Sequence, residues 1–587
     1  MANSFGTAGN PTLIAARIRS VTADNGDRAA VVAGDRTVSY AGLGAMVGAA
    51  AQRLTARRLG DPARVAIVSP RTPESIAEFL ACLTLGILYL PLDPAMSRTR
   101  ADEVARRFGA VPIEVTAPSP GLPSGPRRWP EVVAAPAQPA YAILTSGSTG
   151  SPRAATVSQA NLAGYAEHGL PVFGTTPADR VLQVASFGFD WSVSEIFLTL
   201  AAGATVVLRS AGALDSAGAL AEEIDRYGIT MVQLPTAVWH TLLPEFVSGQ
   251  VTLPASLRHV TIGAEQAKLE AVRSWQQRFG AGPVRLVNSY GPTECTVEAT
   301  QIDLSGPGGV DLSGREIVPI GHPLPGCDVY VLDDQRRRVP DGTAGTIFIS
   351  GWGVGLGYLD DPATTEQRFV PDPFRPGPAR MYDTRDVGRV NSRGELEFLG
   401  RTDNQVKIAG RRVELEEVER LLAAHPAVRE VAVALRPATG TLAAFVVTAE
   451  TIDERELRSW LAQRSPGYLV PGRVVPVHTL PRTVNDKVDV RTLLDRLEAE
   501  RPAQDGTRDD AGSATARVEE VIAEEWRSVL GLSELSVDDD FFTLGGYSLL
   551  AVQVVMRLNK RGLRVQPRDI AAARSVRRLA GIVAERS

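Results

Sequence analysis

The chain has 587 residues, which at roughly 100–200 residues per domain predicts three or four domains. Hydrophobic residues make up 44% and charged residues 22% of the sequence, values typical of globular proteins rather than of disordered or membrane chains. With 62 Lys and Arg against 67 Asp and Glu, the formal charge is −5, which argues against nucleic acid or an anionic membrane as a partner.

The cysteines and the apolar runs indicate the cellular compartment of the protein and whether it crosses a membrane. Cys82, Cys295 and Cys327 show no CxxC spacing, so neither a disulfide framework nor a zinc site is indicated. The first twenty residues lack an apolar run of signal-peptide length, and no window reaches the roughly 18 apolar residues of a membrane span. We therefore expect a cytoplasmic protein with no membrane partner.

Between residue 60 and about residue 300, short apolar runs rich in β-branched residues alternate with helical patterns. The runs are RVAIVSP (64–70), VLQVASF (181–187), ATVVL (204–208), MVQLP (231–235), HVTIG (259–263) and RLVNSY (285–290). Buried strands that alternate with helices predict parallel α/β layers, with ligands bound at the strand ends.

Later segments follow other patterns. Beyond residue 330, short strands with Gly-rich turns predict an antiparallel part, and residues 417–435 with the helix-like ERELRSWLAQR predict a small α+β domain. Residues 499–515 are poor in large apolar residues and predict a linker. After it, Ile522, Trp526 and Leu530 recur at helical spacing and Gly531 indicates a helix end, so a small helical domain is expected.

One loop stands out for its chemistry. YAILTSGSTGSPR (141–153) is an apolar strand that runs into a Thr/Ser/Gly loop, whose N–H groups and hydroxyls suit phosphate oxygens. A polar surface turn is the commoner interpretation of such a run on its own. The Walker spacing G-x-x-x-x-G-K-[ST] is absent.

Six further motifs in the chain favour the interpretation of this loop as a phosphate-binding loop. They are, in order, FDWSVSEIF (189–197), NSYGPTE (288–294), GWGVGLGYL (351–359), YDTRD (382–386), GRTDNQVKIAGRRVELEEVE (400–419) and NDKVD (485–489). The set resembles the adenylation domains of nonribosomal peptide synthetases, within the adenylate-forming superfamily. LGGYSL (544–549) resembles the attachment motif of peptidyl carrier domains, with Tyr547 where His or Asp is usual.

The resemblance implies a multidomain α/β fold. Residues 1–400 would form the adenylation core, with α/β sheets and a small β-barrel-like part, and residues 401–498 a small α+β C-terminal subdomain. Residues 499–515 would be the linker and residues 516–587 an all-α carrier domain of four helices.

The resemblance also implies residue roles at the nucleotide. Glu294 would place Mg²⁺, Tyr290 would stack on adenine, and Asp386 would accept hydrogen bonds from the ribose hydroxyls. The other expected ATP and AMP contacts are Thr145, Ser146, Gly147, Ser148, Thr149, Gly150, Arg153, Ser289, Gly291 and Thr293.

Two further roles concern catalysis and motion. Lys487 would bridge the substrate carboxylate and the α-phosphate, and Arg401 would contact the ribose and phosphate. Asp403 matches the hinge at which the C-terminal subdomain rotates. The sequence departs from the usual pattern at Arg153 and Ala154, at Arg385 in place of the glycine of TGD, and at Asp486 in place of the glycine of NGK.

The resemblance points to an α-amino acid substrate, because Asp190 matches the anchor of the α-amino group. The expected pocket is lined by Trp191, Ser194, Gln233, Val260, Ile262, Gly263, Ser289, Val297 and Glu298. Bulky Trp191 and Ile262 would shorten it, and its polar residues predict a side chain that donates hydrogen bonds, from either a small hydroxy or a basic amino acid.

Ser548 has no histidine after it and would need none, because a phosphopantetheinyl transferase would attach 4′-phosphopantetheine there. The expected enzyme is an ATP-dependent amino acid ligase that forms aminoacyl-AMP and then loads the amino acid as a thioester on that arm. No HHxxxDG or GxSxG motif occurs. The expected partners therefore include a trans-acting condensation domain or tailoring enzyme. The resemblance leaves open whether a small helper protein of the MbtH-like type is also a partner.

Two alternatives remain open at this point. An acyl-CoA ligase with an incidental tail would use free CoA whether or not Ser548 is present. A non-catalytic scaffold of the same fold is suggested by Arg385 and Asp486 and would lose no adenylation rate when Lys487 is replaced.

Overall fold

The structure is a computed structural model that describes residues 12–57, 59–94, 96–115, 128–145, 152–403, 405–408, 411–436, 439–449, 452–465, 467–482, 488–499, 514–532 and 535–585. The chain divides into two compact units. The first comprises 1–145, 153–211 and 221–403, and the second comprises 146–152, 212–220 and 404–587. No helix within the described ranges combines the length and the apolar character that crossing a bilayer requires.

Helices and strands alternate through residues 12–403. The helices are α1 (Ile14–Asp24), α2 (Tyr40–Ala56), α3 (Pro73–Leu85), α4 (Arg98–Arg107), α5 (Gln159–Phe173), α6 (Trp191–Val193), α7 (Thr199–Ala201), α8 (Ala217–Tyr227), α9 (Thr236–Val247), α10 (Leu269–Phe279) and α11 (Pro362–Arg368). The strands are β1 (Ala29–Ala33), β2 (Arg36–Ser39), β3 (Arg64–Val68), β4 (Leu88–Leu92), β5 (Val111–Glu114), β6 (Pro139–Thr145), β7 (Arg153–Ser158), β8 (Arg180–Gln183), β9 (Thr205–Leu208), β10 (Met231–Pro235), β11 (His259–Gly263), β12 (Arg285–Tyr290), β13 (Thr300–Ser305), β14 (His322–Pro323), β15 (Cys327–Leu332), β16 (Gly345–Gly351), β17 (Gly357–Tyr358), β18 (Phe369–Pro371), β19 (Arg380–Val390) and β20 (Leu396–Arg401).

The largest sheet has nine strands in the order β14-β13-β12-β11-β10-β8-β9-β1-β2. Its centre is parallel, from β12 through β11, β10 and β8 to β9 and β1. Every residue of β9 and β11 is buried, as the near-continuous apolar runs predict for a sheet covered on both faces. The prediction of parallel α/β layers is confirmed.

Two other sheets complete the first unit. The run at Arg64 lies in a separate sheet of six strands, ordered β17-β7-β6-β4-β3-β5, so the predicted α/β region contains two sheets. The antiparallel part predicted beyond residue 330 is a five-stranded sheet in which β20 pairs with β19 in the order β15-β16-β19-β18. This sheet contains Asp386 and Arg401, two of the predicted site residues.

The second unit carries the predicted α+β and helical parts. Its strands are β21 (Gln405–Ile408), β22 (Arg411–Glu414), β23 (Val428–Leu435), β24 (Leu442–Thr448) and β25 (Arg473–Pro476), and its helices are α12 (Leu415–Ala423), α13 (Glu454–Ala462), α14 (Val490–Ala499), α15 (Ala514–Leu530), α16 (Ser548–Lys560), α17 (Pro567–Ala573) and α18 (Val576–Ala584). Helices α15 to α18 enclose a core around Trp526, Phe541 and Leu558, which confirms the four-helix carrier fold. Residues 500–513 of the predicted linker lie outside the described residues.

Candidate active site

The predicted ribose ligand Asp386 lies in a network of paired groups. Tyr290 is the last residue of β12, and the antiparallel register of β19 and β20 places Asp386 opposite Arg401. The Tyr290 hydroxyl donates a hydrogen bond of 2.6 Å to Asp386 Oδ2. Arg401 Nη1 donates to Asp386 Oδ1. Burial and the nearby Asp386 carboxylate raise the pKa of Tyr290, so its hydroxyl remains a donor.

Arg401 also contacts the predicted hinge residue. Its Nε donates to Asp403 Oδ1 at 2.6 Å and its Nη2 to Asp403 Oδ2 at 2.9 Å. One guanidinium group therefore joins two carboxylates with directed, charge-assisted bonds. The predicted ribose ligand and the predicted hinge are connected through a single side chain.

Arg385 stands where the family pattern has glycine, and its backbone has a conformation that is typical of glycine. Arg385 has a φ of 61°, in the left-handed region that glycine adopts without cost. Its exposed guanidinium pairs with Asp383 at 3.2 Å, and its carbonyl oxygen accepts a hydrogen bond from Thr402 N at 2.9 Å. The loop before Asp386 therefore adopts the conformation that suits glycine, with an arginine in it.

Glu294, the predicted magnesium ligand, lies on a 3₁₀ turn (Thr293–Cys295) directly after β12. The Tyr358 hydroxyl donates to Glu294 Oε1 at 2.6 Å, and the Glu294 residue is 1% exposed. Mg²⁺ in nucleotide sites is commonly bound by one or two carboxylates plus phosphate oxygens and water. A single buried carboxylate with one oxygen oriented by a tyrosine fits that requirement.

The predicted phosphate loop connects two paired strands. The register of β6 and β7 places Thr145 opposite Arg153. Thr145 is buried, and its hydroxyl has no hydrogen-bond partner among the described residues. Arg153 Nε lies 3.6 Å from Asp361 Oδ2, and its guanidinium lies 5.6 Å from the centre of the Tyr358 ring. The hairpin thus positions both ends of the loop.

Several predicted site residues lie outside the described residues. They are the loop residues Ser146, Gly147, Ser148, Thr149 and Gly150, and the predicted catalytic residue Lys487. The backbone of Ser548 is described and begins α16, as predicted. The roles of these residues stay predictions.

The predicted amino acid pocket begins where the chain turns after β8. Asp190 is 3% exposed and precedes α6, which continues into a π-helix (Ser194–Leu198). Gln233 on β10 donates from Nε2 to Ser194 Oγ at 3.0 Å. The Asp190 charge raises the pKa of Tyr141, Tyr165 and Glu298 in addition to the effect of burial. These groups therefore lie within electrostatic reach of one another.

Two glycines allow close approach at this pocket. A Cβ atom on Gly263 would lie 2.8 Å from Trp191 Cζ2, so the indole packs against the bare backbone of β11. A Cβ on Gly291 would lie 2.4 Å from Val297 O and 2.6 Å from Glu298 Cα. Glycine at position 291 thus lets residues 297 and 298 lie against the end of β12.

Glu298 is fully buried beside the Ser289 hydroxyl. Oxygens of Glu298 and Gln233 lack hydrogen-bond partners within the described chain. Burial, with a smaller contribution from the Asp190 charge, raises the pKa of Glu298 to about 8, although the nearby Ser289 hydroxyl lowers it. The group is therefore mostly protonated at neutral pH.

The remaining predicted pocket residues are apolar. Val260 and Ile262 are buried on β11 and alternate with Thr261 and Gly263, so the pleat places them on the face opposite to Gly263. Val297 is 1% exposed. Contact of these residues with a substrate stays a prediction.

The sequence analysis assigned no role to Tyr358 or to Tyr165. Tyr358 belongs to the GWGVGLGYL motif (351–359), and this membership was a signal that its hydroxyl contributes to the site. Tyr165 lies in the middle of α5 and carries no comparable signal, yet both Glu298 and Ser194 affect its pKa.

Comparison with known proteins agrees with this geometry. The model of the family "AMP-binding enzyme" matches residues 18–359, and that of its C-terminal domain matches residues 417–487. The model "Phosphopantetheine attachment site" matches residues 520–583. The class of protein defined by fold and site is therefore an adenylate-forming enzyme joined to a carrier domain.

Named relatives refine the class. Phosphinothricin tripeptide synthetase PhsC of Streptomyces viridochromogenes is 36% identical, over 94% of this chain and 52% of the relative. Novobiocin biosynthesis protein H of Streptomyces niveus is 33% identical, over 94% of this chain and 93% of the relative. Some relatives are much longer: the chain spans 23% of a dimodular nonribosomal peptide synthase of Bacillus subtilis, which is 33% identical over 91% of this chain.

A solved structure covers nearly the whole chain. It is holo-PA1221, an NRPS protein containing adenylation and PCP domains, with a TM-score of 0.80 and 25% identity over 98% of this chain and 96% of that one. The chain belongs to the AMP-binding enzyme family and has the adenylation and carrier architecture of nonribosomal peptide synthetases.

Proposed function

We propose that this protein activates an α-amino acid with ATP and transfers it to a phosphopantetheine thiol attached at Ser548. The observation that carries the amino acid assignment is the buried Asp190 carboxylate at the head of the pocket. A buried carboxylate favours a cationic ligand such as an α-ammonium group, because charge-assisted hydrogen bonds are strong where bulk water is excluded.

In the first step, a carboxylate oxygen of the amino acid would bond to the α-phosphorus of ATP as the bond to pyrophosphate breaks. Asp386 would accept hydrogen bonds from the ribose, and Arg401, already held by Asp386 and Asp403, would stay oriented toward the nucleotide. Mg²⁺, when bound at Glu294, would neutralise charge on the phosphate oxygens. Lys487 would bridge the two reacting anions.

In the second step, the thiol sulfur would bond to the carbonyl carbon, AMP would leave with the electron pair of the broken bond, and the thiol would lose its proton. A phosphopantetheinyl transferase must first modify Ser548. The attachment-site family match over residues 520–583 supports this, because it includes Ser548 at the start of α16. A trans-acting condensation or tailoring enzyme would then accept the loaded carrier.

Intact-protein mass spectrometry tests the proposal. After treatment with a phosphopantetheinyl transferase, ATP and a mixture of amino acids should add the mass of one aminoacyl group. Ser548→Ala should abolish that gain and leave ATP–pyrophosphate exchange intact, whereas Ser528→Ala, at an exposed position of α15, should change neither. Equal transfer to free CoA by the Ser548 variant, or no exchange with any amino acid, would contradict the proposal.

A further inference from the structure

The pocket predicted to bind the substrate side chain contains buried oxygens without hydrogen-bond partners. Within the described chain these are oxygens of Glu298 and Gln233, and the Ser289 hydroxyl acts on the Glu298 carboxyl group. Glu298 is 0% exposed, so its carboxyl group has no contact with bulk solvent. A buried polar group without a hydrogen bond is costly, so several such atoms in one region require an explanation.

A hydrogen bond and electrostatic effects connect these groups to one another. Gln233 donates to Ser194, and Ser194 and Glu298 both act on the buried Tyr165 of α5. Ser289 in turn lowers the pKa of Glu298. The oxygens therefore belong to one polar region beside Asp190, not to separate defects.

The backbone that carries Glu298 is strained. Thr296 has a φ of 58° and Val297 a φ of 72°, and a left-handed conformation is a genuine outlier for a β-branched residue. The Thr296 hydroxyl stabilises this turn by donating to Gly353 O at 2.6 Å, and Gly291 leaves room for it. The strain places a carboxyl group in an interior that otherwise disfavours it, which is typical of a ligand-binding position.

We propose that Glu298, with Gln233 and Ser289, binds a positively charged group on the substrate side chain, so that the enzyme activates an amino acid bearing a side-chain ammonium or guanidinium. This inference rests on the proposed function. It narrows the expected choice between a hydroxy and a basic amino acid to the basic one.

Hydrogen-bond capacity supports the choice. The carboxylate oxygens of Glu298 and the amide oxygen of Gln233 accept bonds, and an ammonium group has three donors while a hydroxyl has one. A hydroxy amino acid would therefore leave buried acceptors unsatisfied. The charges agree, since Asp190 and Glu298 are both acidic and no described cation contributes to the pKa of Glu298. An α-ammonium at Asp190 and a side-chain cation at Glu298 would neutralise both.

The test uses pairs of amino acids that differ mainly in side-chain charge. ATP–pyrophosphate exchange should be measured with arginine against citrulline, ornithine against norleucine, and 2,4-diaminobutyrate against norvaline, with threonine included. We expect kcat/KM to favour the cationic member of at least one pair by about 100-fold or more, because rejecting an analogue that cannot pair with buried polar groups has that magnitude.

The isosteric variant Glu298→Gln assigns the effect to this residue. It should lower kcat/KM for the preferred cationic amino acid by about 100-fold and should not lower it for the neutral member of the pair. Glu103→Gln, which alters an exposed glutamate of α4, should match the unsubstituted protein. Equal loss on both members of the pair would show a structural role and overturn the proposal.

A binding measurement without ATP separates this inference from the proposed function. Because burial raises the pKa of Glu298 to about 8, binding of the cation below pH 8 should release a proton. Calorimetry in two buffers of different ionisation enthalpy measures that release, which Glu298→Gln should abolish. Highest exchange with a neutral amino acid, or binding without proton release, would overturn this inference; loss of exchange with every amino acid would instead overturn the proposed function.

Discussion

The two predicted ligand-binding regions of the first unit differ in how their buried polar groups are paired. At the predicted nucleotide site, Tyr290 and Arg401 both donate hydrogen bonds to Asp386. At the side-chain pocket, Glu298 and Gln233 keep oxygens without described partners. The first site is preorganised at little cost, whereas the second holds unfavourable free energy that a suitable ligand would remove.

Breaking the paired site should have the largest effect. Asp386→Asn removes the negative charge that orients Arg401 and would accept bonds from the ribose, and hydrogen bonds to charged groups contribute about 1.5–3 kcal/mol each. We expect kcat/KM for ATP to fall by about 100-fold or more, in pyrophosphate exchange at saturating amino acid. Asp102→Asn on the exposed side of α4 is the matched control, and an unchanged value for the Asp386 variant would refute the assigned role.

At the predicted side-chain pocket, we expect a substitution to increase the stability of the fold. Glu298→Met replaces an unpaired buried carboxyl by an apolar side chain of similar length, so we expect a higher free energy of unfolding despite lost activity. The pKa of Glu298 is raised in the folded protein, so the folded state binds more protons than the unfolded state between pH 4.5 and about 8. Its contribution to stability is therefore greatest at low pH and declines as pH rises.

Chemical denaturation of the ligand-free protein and the variant measures this difference. The advantage of Glu298→Met should grow by roughly 1 kcal/mol per pH unit from pH 5 to 8 and then level off. A difference that is independent of pH would show that Glu298 is already ionised at pH 5.

A smaller effect is expected at Glu294, the predicted magnesium ligand. Tyr358→Phe removes the hydroxyl that holds Glu294, a net loss of about 1 kcal/mol, which corresponds to about a fivefold rise in the KM for Mg·ATP. Titration of Mg²⁺ at fixed ATP measures it. Tyr227→Phe, at the end of α8, is the control, and a similar rise there would point to a general effect of losing a tyrosine hydroxyl.

The smallest effect concerns the loop before Asp386. Arg385→Gly should raise the free energy of unfolding by about 0.5–1 kcal/mol, because glycine adopts a positive φ without strain. Arg336→Gly, at an exposed turn with a φ of 59°, offers a matched comparison. Thermal-shift assays measure the stability of both variants, and ATP–pyrophosphate exchange measures the KM for ATP. If only the Arg385 variant also changes that KM, the arginine itself contacts the nucleotide.

The sequence correctly predicted the strands whose limits are set by the local residue pattern. The predicted runs 231–235, 259–263 and 285–290 coincide with β10, β11 and β12, because their apolar β-branched residues are bounded by turn residues. The run 181–187 ends as a strand at Gln183, because the next two N–H groups donate to the buried Glu195 rather than to a neighbouring strand. The acceptor lies eleven residues after Val184 and ten after Ala185, and no local pattern indicates it.

The candidate site likewise contains residues that local motifs predicted and one feature that they did not. Motifs predicted Asp386, Tyr290 and Glu294, whose hydrogen bonds now connect them to Arg401 and Tyr358. The state of Glu298 was not predictable, because it depends on two successive left-handed residues, Thr296 and Val297, neither of which is a glycine that would signal such a turn. Burial without partners is a property of the packed structure, not of the sequence pattern.

The backbone contacts within the second unit have a consequence for exchanging carrier domains between synthetases. A Cβ on Gly472 would lie 2.4 Å from Leu530 O, and one on Gly545 would lie 2.9 Å from Val470 O, while Tyr547 packs against the apolar cluster that contains Val470. A recombination joint in residues 499–515 would replace one side of this contact and leave the other unchanged. A transplanted carrier with a bulky residue in place of Gly545 would clash at Val470, so joints that preserve both sides should yield the better chimaeras.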